Sequence, residues 1–156
     1  MTLPDLFDLS LIGRRDEPAV EWEGATLTFG EVDLRASRMA GALHARGLRT
    51  GDRLCVYLPN SIDYIDLFLA ATRLGVVFVP INILYRDREI AHILGDAAPA
   101  AVIAQESQTV HLPAGAPVWR LEELRREAER QNAARQVLVR DGDAPAAIVY
   151  TSGTTG

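Results

Sequence analysis

The chain has 156 residues, 48% of them hydrophobic and 24% charged, which is enough for one domain with a buried core and excludes a disordered or fibrous class. The net charge of −5, with no basic stripe, argues against a general nucleic-acid binder. All 16 basic residues are arginine, so no lysine chemistry can come from these residues.

Residues 3 to 13 open the chain as a short amphipathic run with Leu3, Leu6, Phe7, Leu11 and Ile12 apolar. Ala19 to Glu23 alternates, Gly24-Ala25 reads as a turn, and Thr26 to Phe29 alternates again, which predicts a β-hairpin. Thr28 and Glu31 have capping-box spacing, so a helix is expected from about Gly30. Val32, Ala36, Met39 and Leu43 form its apolar face, and Gly47 is the natural stop. Gly51-Asp52 turns into a strand over Arg53 to Leu58, broken by Pro59-Asn60-Ser61. Ser61 can cap a helix reaching Leu74, with Gly75 ending it. Val76 to Val79 is a continuous apolar strand closed by Pro80. Asp87 to Leu94 is expected as a second short helix stopped by Gly95, and Ala101 to Ala104 as a third strand. Alternating strands and helices with nearly continuous apolar strands predict an α/β fold, a mostly parallel sheet with helices on both faces. Residues 105 to 117 read as a loop, Glu122 to Arg135 as a charged surface helix, and 140 to 145 as a linker. Ala146 to Tyr150 is a last apolar strand running into Thr151-Ser152-Gly153-Thr154-Thr155-Gly156.

Few side chains present themselves as chemical groups. Cys55 lies in an apolar run and reads as a core residue, and a single cysteine forms no internal disulfide. His44, His92 and His111 are scattered, with no partner at metal-ligand spacing. Asp63 and Asp66 fall at the start of a helix, where carboxylates complement the helix dipole more often than they act as acid and base. Trp22 and Trp119 read as packing residues. The N-terminus has no signal-peptide pattern, and no stretch approaches the roughly 18 apolar residues of a membrane span, so a cytoplasmic protein is expected.

The terminal loop is the informative feature. Glycines let successive N–H groups converge on an anion, and Ser and Thr hydroxyls add donors to phosphate oxygens. The loop is neither a Walker A loop, which needs a lysine, nor a Gly-x-Gly-x-x-Gly dinucleotide turn. By composition alone it could equally be a flexible turn. The whole string Tyr150-Thr151-Ser152-Gly153-Thr154-Thr155-Gly156, however, resembles the phosphate-loop signature of the AMP-forming synthetase superfamily, which includes acyl-CoA synthetases, peptide-synthetase adenylation domains and luciferases. Leu27 to Val32 resembles that family's early Leu-Thr-Tyr-x-Glu-Leu element, and Leu74 to Asn82 its Gly-Ala-Val-x-Val-Pro-Leu-Asn element. Arg73 and Gly51-Asp52-Arg53 also look like the family. The likeness covers nearly the whole chain and is weakest over residues 105 to 140.

The resemblance implies a reaction. Such enzymes join a carboxylate to AMP, release pyrophosphate, and pass the acyl group to a thiol, often coenzyme A. Both reactants are anionic, so catalysis there depends on charge neutralisation and positioning. By resemblance, Thr151, Ser152, Gly153, Thr154, Thr155 and Gly156 would cradle the β- and γ-phosphates of ATP, accompanied by Mg²⁺. The family's Lys-Gly continuation, ribose-gripping acidic residue, magnesium-supporting Glu and catalytic lysine have no counterpart in these 156 residues. The expectation is therefore the N-terminal portion of an adenylation domain, residues 1–156, with no catalytic residue of its own and no metal ligand. Alone it should show no ATP–pyrophosphate exchange with any carboxylate.

Three functions compete. An acyl-CoA synthetase acting on a fatty or other carboxylic acid is favoured by the start at Met1 and by Val79-Pro80-Ile81-Asn82, where amino-acid-activating domains more often carry Asp. The alternatives are a peptide-synthetase adenylation domain and a non-catalytic truncated remnant.

Overall fold

The computed structural model describes residues 1–139 and 141–151. Thr2 starts the first helix, α1 (Leu3–Leu11), with a reciprocal cap: Asp5 N–H donates to its hydroxyl, and its own N–H donates to the Asp5 carboxylate at 2.7 Å. The hairpin follows as β1 (Pro18–Trp22) and β2 (Ala25–Thr28). Its turn is Glu23-Gly24 rather than Gly24-Ala25, because Trp22 pairs with Ala25 and both intervening residues take positive φ.

Helix α2 (Phe29–Ala45) begins at the expected capping box, with Glu31 N–H donating to the Thr28 hydroxyl at 3.2 Å and Thr28 N–H to the Glu31 carboxylate at 2.8 Å. Val32, Ala36, Met39 and Leu43 are all buried, as their spacing predicts. Strand β3 (Arg53–Tyr57), helix α3 (Ile62–Leu74) and strand β4 (Val77–Pro80) then run as expected. Ser61 stands at the N-cap of α3 but makes no side-chain capping hydrogen bond. Gly75 closes α3 at φ +69°. A Cβ there would lie 2.8 Å from Thr50 Cγ2, so the position requires glycine twice over.

Three expectations are corrected. Helix α4 (Asp87–Ala97) passes through Gly95 instead of stopping at Leu94. Its buried face, Ile90, Ile93 and Ala97, continues beyond the glycine, and that burial outweighs a helix-interior glycine cost of about 1 kcal/mol. Ala98 takes the left-handed cap in its place, followed by Pro99. After β5 (Ala101–Ala104), the expected loop contains a 3₁₀ turn over Glu106–His111 and a short strand, β6 (Val118–Arg120). Helix α5 (Leu121–Arg130) ends five residues before Arg135. Its stripe of Leu121, Leu124 and Ala128 is buried, and the chain then turns extended at Gln131, which packs against Gly41. Leaving the helix there lets the N–H groups of Leu138 and Val139 reach the Arg73 carbonyl at 2.7 and 3.2 Å.

The central sheet is parallel, in the order β4-β3-β5-β6. One face packs Leu54, Val56, Phe78 and Ile103 against α2, α3 and α5, and Tyr64 and Phe68 meet the Phe78 ring edge-on at 5.5 and 5.4 Å. The other face packs Cys55, Tyr57, Val79 and Val102 against α4. Helices therefore cover both faces, as expected of an α/β sheet. Among the described residues, no helix is long and apolar enough to cross a membrane.

Candidate functional site

The chain approaches the predicted loop along the open edge of β4. Phe78 N–H donates to the Ala146 carbonyl at 2.9 Å, and Ile148 N–H returns to the Phe78 carbonyl at 3.0 Å. These bonds make one parallel bridge, Phe78 to Ala147, rather than the full strand expected over Ala146 to Tyr150. Among the described residues the segment pairs on the β4 side only, and Val149 is exposed. Because the pairing is parallel, Thr151 emerges at the carboxyl end of the sheet, where open α/β sheets bind ligands. Thr151 is exposed. Ser152, Gly153, Thr154, Thr155 and Gly156, the rest of the predicted phosphate loop, lie outside the described residues, as does Arg140 of the predicted linker.

Tyr150 stands immediately before that loop. Its ring packs with Ile148 against the α4-side core, and its hydroxyl donates to the Asp96 carboxylate near the end of α4. His92, one helical turn before Asp96, meets the Tyr150 ring edge-on with centroids 6.4 Å apart. The Asp96 carboxylate, and then burial, push the Tyr150 hydroxyl up to about 12, so it remains a protonated donor at neutral pH.

A cleft of about 440 Å³ opens here between Tyr85, Arg88, Glu89 and His92 on one side and Tyr150 and Thr151 on the other. Glu89 is committed to the helix start: it accepts from Arg86 N–H at 3.2 Å, and backbone hydrogen bonds hold its carboxyl below the usual range. Arg88 and His92 thus line the same cleft as Thr151, and the Arg88 guanidinium gives it a donor suited to an anion. At the point where the strand order reverses, between β3 and β5, Tyr57 is fully buried, and its hydroxyl donates to the carbonyls of Ile83 (3.2 Å) and Tyr85 (2.9 Å).

The remaining candidates are structural. Cys55 is fully buried, and burial pushes its thiol up to about 12, far from a reactive thiolate. Asp63 and Asp66 do more than complement a helix dipole. Asp66 takes both arms of Arg35, at 3.2 and 2.5 Å, and Asp63 takes both arms of Arg125. They line a cavity of about 420 Å³ with Trp22, Arg35, Arg38 and Arg125, and neither is free for acid–base work. His111 stands 3.5 Å from Asp87, and Trp119 lies under the Arg46 guanidinium at 5.2 Å. Among the described residues, no group of three His, Cys, Asp or Glu side chains is placed to hold a metal ion.

Two arrangements escaped the sequence reading. One is the Asp96–Tyr150 contact, whose sequence trace is only the one-turn spacing of His92 and Asp96. The other is the buried pair of Arg73 and Asp33, joining α3 to α2, which has no local sequence signal.

The family described as AMP-binding enzyme matches residues 9–156. The chain belongs to this family. A probable nonribosomal peptide synthetase of Salinispora arenicola is 31% identical over 99% of the chain, which spans 2% of that protein. A long-chain-fatty-acid–CoA ligase of Mycobacterium tuberculosis is 34% identical over 83% of the chain and 28% of its own length. The ATP-bound structure of MatB from Rhodopseudomonas palustris superimposes with a TM-score of 0.85 and 34% identity, over 100% of this chain and 33% of that one. The chain thus spans a third or less of each of these relatives. The family of AMP-binding enzymes forms adenylates using ATP, and both acyl-CoA ligases and peptide-synthetase adenylation domains stand among its members similar to this chain.

Proposed function

We propose that residues 1–156 are the N-terminal portion of an adenylation domain whose whole protein activates a carboxylic acid as acyl-AMP and transfers it to coenzyme A. The reading is supported by the emergence of Tyr150 and Thr151, where the string begins, at the carboxyl end of a parallel sheet, beside a cleft lined by Arg88 and His92. In this reading, Thr151, Ser152, Gly153, Thr154, Thr155 and Gly156 cradle the β- and γ-phosphates of ATP. Mg²⁺ accompanies the nucleotide in this reading. With no lysine in these residues, fixed positive charge from this segment comes from arginine, and Arg88 lines the same cleft as Thr151. The adenylating lysine and the acyl pocket belong to the remainder of the protein.

Coenzyme A as acceptor is supported by Asn82, at the position where amino-acid-activating domains more often carry Asp, and by the similarity to the fatty-acid ligase. The second reading, a peptide-synthetase adenylation domain loading a carrier protein, is supported by the 31% identity to the Salinispora synthetase. A cytoplasmic location fits the lone, unpaired Cys55. The deciding experiment supplies the protein of the complete coding frame with ATP, Mg²⁺ and a panel of fatty, dicarboxylic, aryl and amino acids, offering coenzyme A or a phosphopantetheinylated carrier protein. Acyl-CoA as product supports the first reading. Acylated carrier with no acyl-CoA replaces it with the second.

A further inference from the structure

We propose that Asp96 and Tyr150 are a positioning pair: helix α4 grips the residue immediately before the phosphate loop and thereby sets where the loop meets the nucleotide. The inference rests on the phosphate-binding reading of Thr151 to Gly156.

Along this last segment, Ile148 N–H makes the last backbone hydrogen bond to the sheet among the described residues. Val149 faces solvent. Among the described residues, the Tyr150 side chain holds the chain beyond that point. Its ring is held against the α4-side core, its hydroxyl donates to the Asp96 carboxylate, and the His92 ring flanks it edge-on. Asp96 itself is exposed, so the hydrogen bond competes with water and adds little to folding stability. Its consequence is directional. Positioning errors of about 1 Å in a binding element cost large factors in function even where stability is unaffected. α4 also carries Arg88 and His92 into the same cleft, so the grip fixes Tyr150 and Thr151, where the loop begins, relative to those side chains.

The test uses the protein of the complete coding frame and acid-dependent ATP–pyrophosphate exchange, with Tyr150→Phe, Asp96→Ala, Asp96→Asn and the Tyr150→Phe/Asp96→Ala double variant. Tyr150→Phe and Asp96→Ala should each raise KM for ATP about tenfold, as expected of a displaced binding element, and leave KM for the acid within about twofold. Asp96→Asn, which keeps an acceptor oxygen, should recover most of the loss. The double variant should be no worse than the worse single one, since the two residues act as a unit. Melting temperatures should stay within about 2 °C of wild type, the range of a surface substitution. An unchanged KM for ATP overturns the pair, as does an equal loss for both substrates with a lowered melting temperature. An unaltered, well-folded protein that shows no exchange with any acid overturns the phosphate-binding reading, and the positioning role with it.

Discussion

Arg73 and Asp33 meet at 2.6 Å inside the protein, with the arginine side chain 1% exposed. The same guanidinium donates to the Asp33 carbonyl at 3.1 Å and the Ser37 hydroxyl at 3.0 Å, and lies over the Phe7 ring at 5.6 Å. The Arg73 carbonyl receives Leu138 and Val139. One residue of α3 therefore ties together α1, α2 and the segment that leads toward the loop. Burial pushes the guanidinium below its ordinary range, and the Asp33 carboxylate opposes that shift. Removing one partner of a buried pair leaves a charge without compensation. Arg73→Met should cost about 3 kcal/mol in urea unfolding, the lower end of that range because Arg15 remains 3.1 Å from Asp33. Replacing both partners, Asp33→Leu with Arg73→Met, should cost less than Arg73→Met alone.

Two glycines should respond in opposite ways. Gly75→Ala puts a Cβ at positive φ and against Thr50, and should destabilise by about 1–3 kcal/mol. Gly95→Ala meets nothing within 4 Å in the interior of α4, and should stabilise by about 0.5–1 kcal/mol. Chemical denaturation of the two variants checks both signs.

Asp66 gives a pH dependence of defined sign. Burial, reinforced by the neighbouring Asp63 charge, raises its carboxyl above the ordinary 3.8, and Arg35 opposes the shift. The folded state therefore binds this proton more tightly than the unfolded state. Its contribution is fully present below the unfolded value and is lost as pH rises through the raised folded value. The stability of wild type minus that of Asp66→Asn should accordingly be larger below pH 3.8 than at pH 7, by urea titration at both. The opposite order contradicts the burial-dominated account.

The Cys55 thiol should be silent toward Ellman's reagent in the native protein. It is fully buried and pushed up to about 12, so reaction requires unfolding. Reaction at the rate of a free thiol under native conditions would contradict the packing of β3.

The elements legible in the sequence are those whose signals are local. The Thr28–Glu31 box, the four-three-four spacing on α2, and Gly75 at the end of α3 each act within a few residues, and each stands where it was expected. Gly95 misled because the stop signal is local, whereas the Ile90, Ile93 and Ala97 face that carries the helix past it is tertiary. α5 ends early for a similar reason: the chain leaves it to reach Arg73. Ala146 to Tyr150 has strand composition, but among the described residues it pairs with β4 alone. The site divides in the same way. The family was readable from the sequence, while the Asp96–Tyr150 contact was not, since Asp96 lies 54 residues from Tyr150 in the chain. The Arg73–Asp33 pair, 40 residues apart, was hidden for the same reason.

Acid-dependent exchange of radiolabelled pyrophosphate into ATP by the protein of the complete coding frame is the most direct test of adenylate formation. Exchange should require Mg²⁺ and one class of carboxylic acid, and residues 1–156 alone should give none. A folded complete protein that exchanges no pyrophosphate with any acid of the panel, or exchange catalysed by residues 1–156 by themselves, would contradict that expectation.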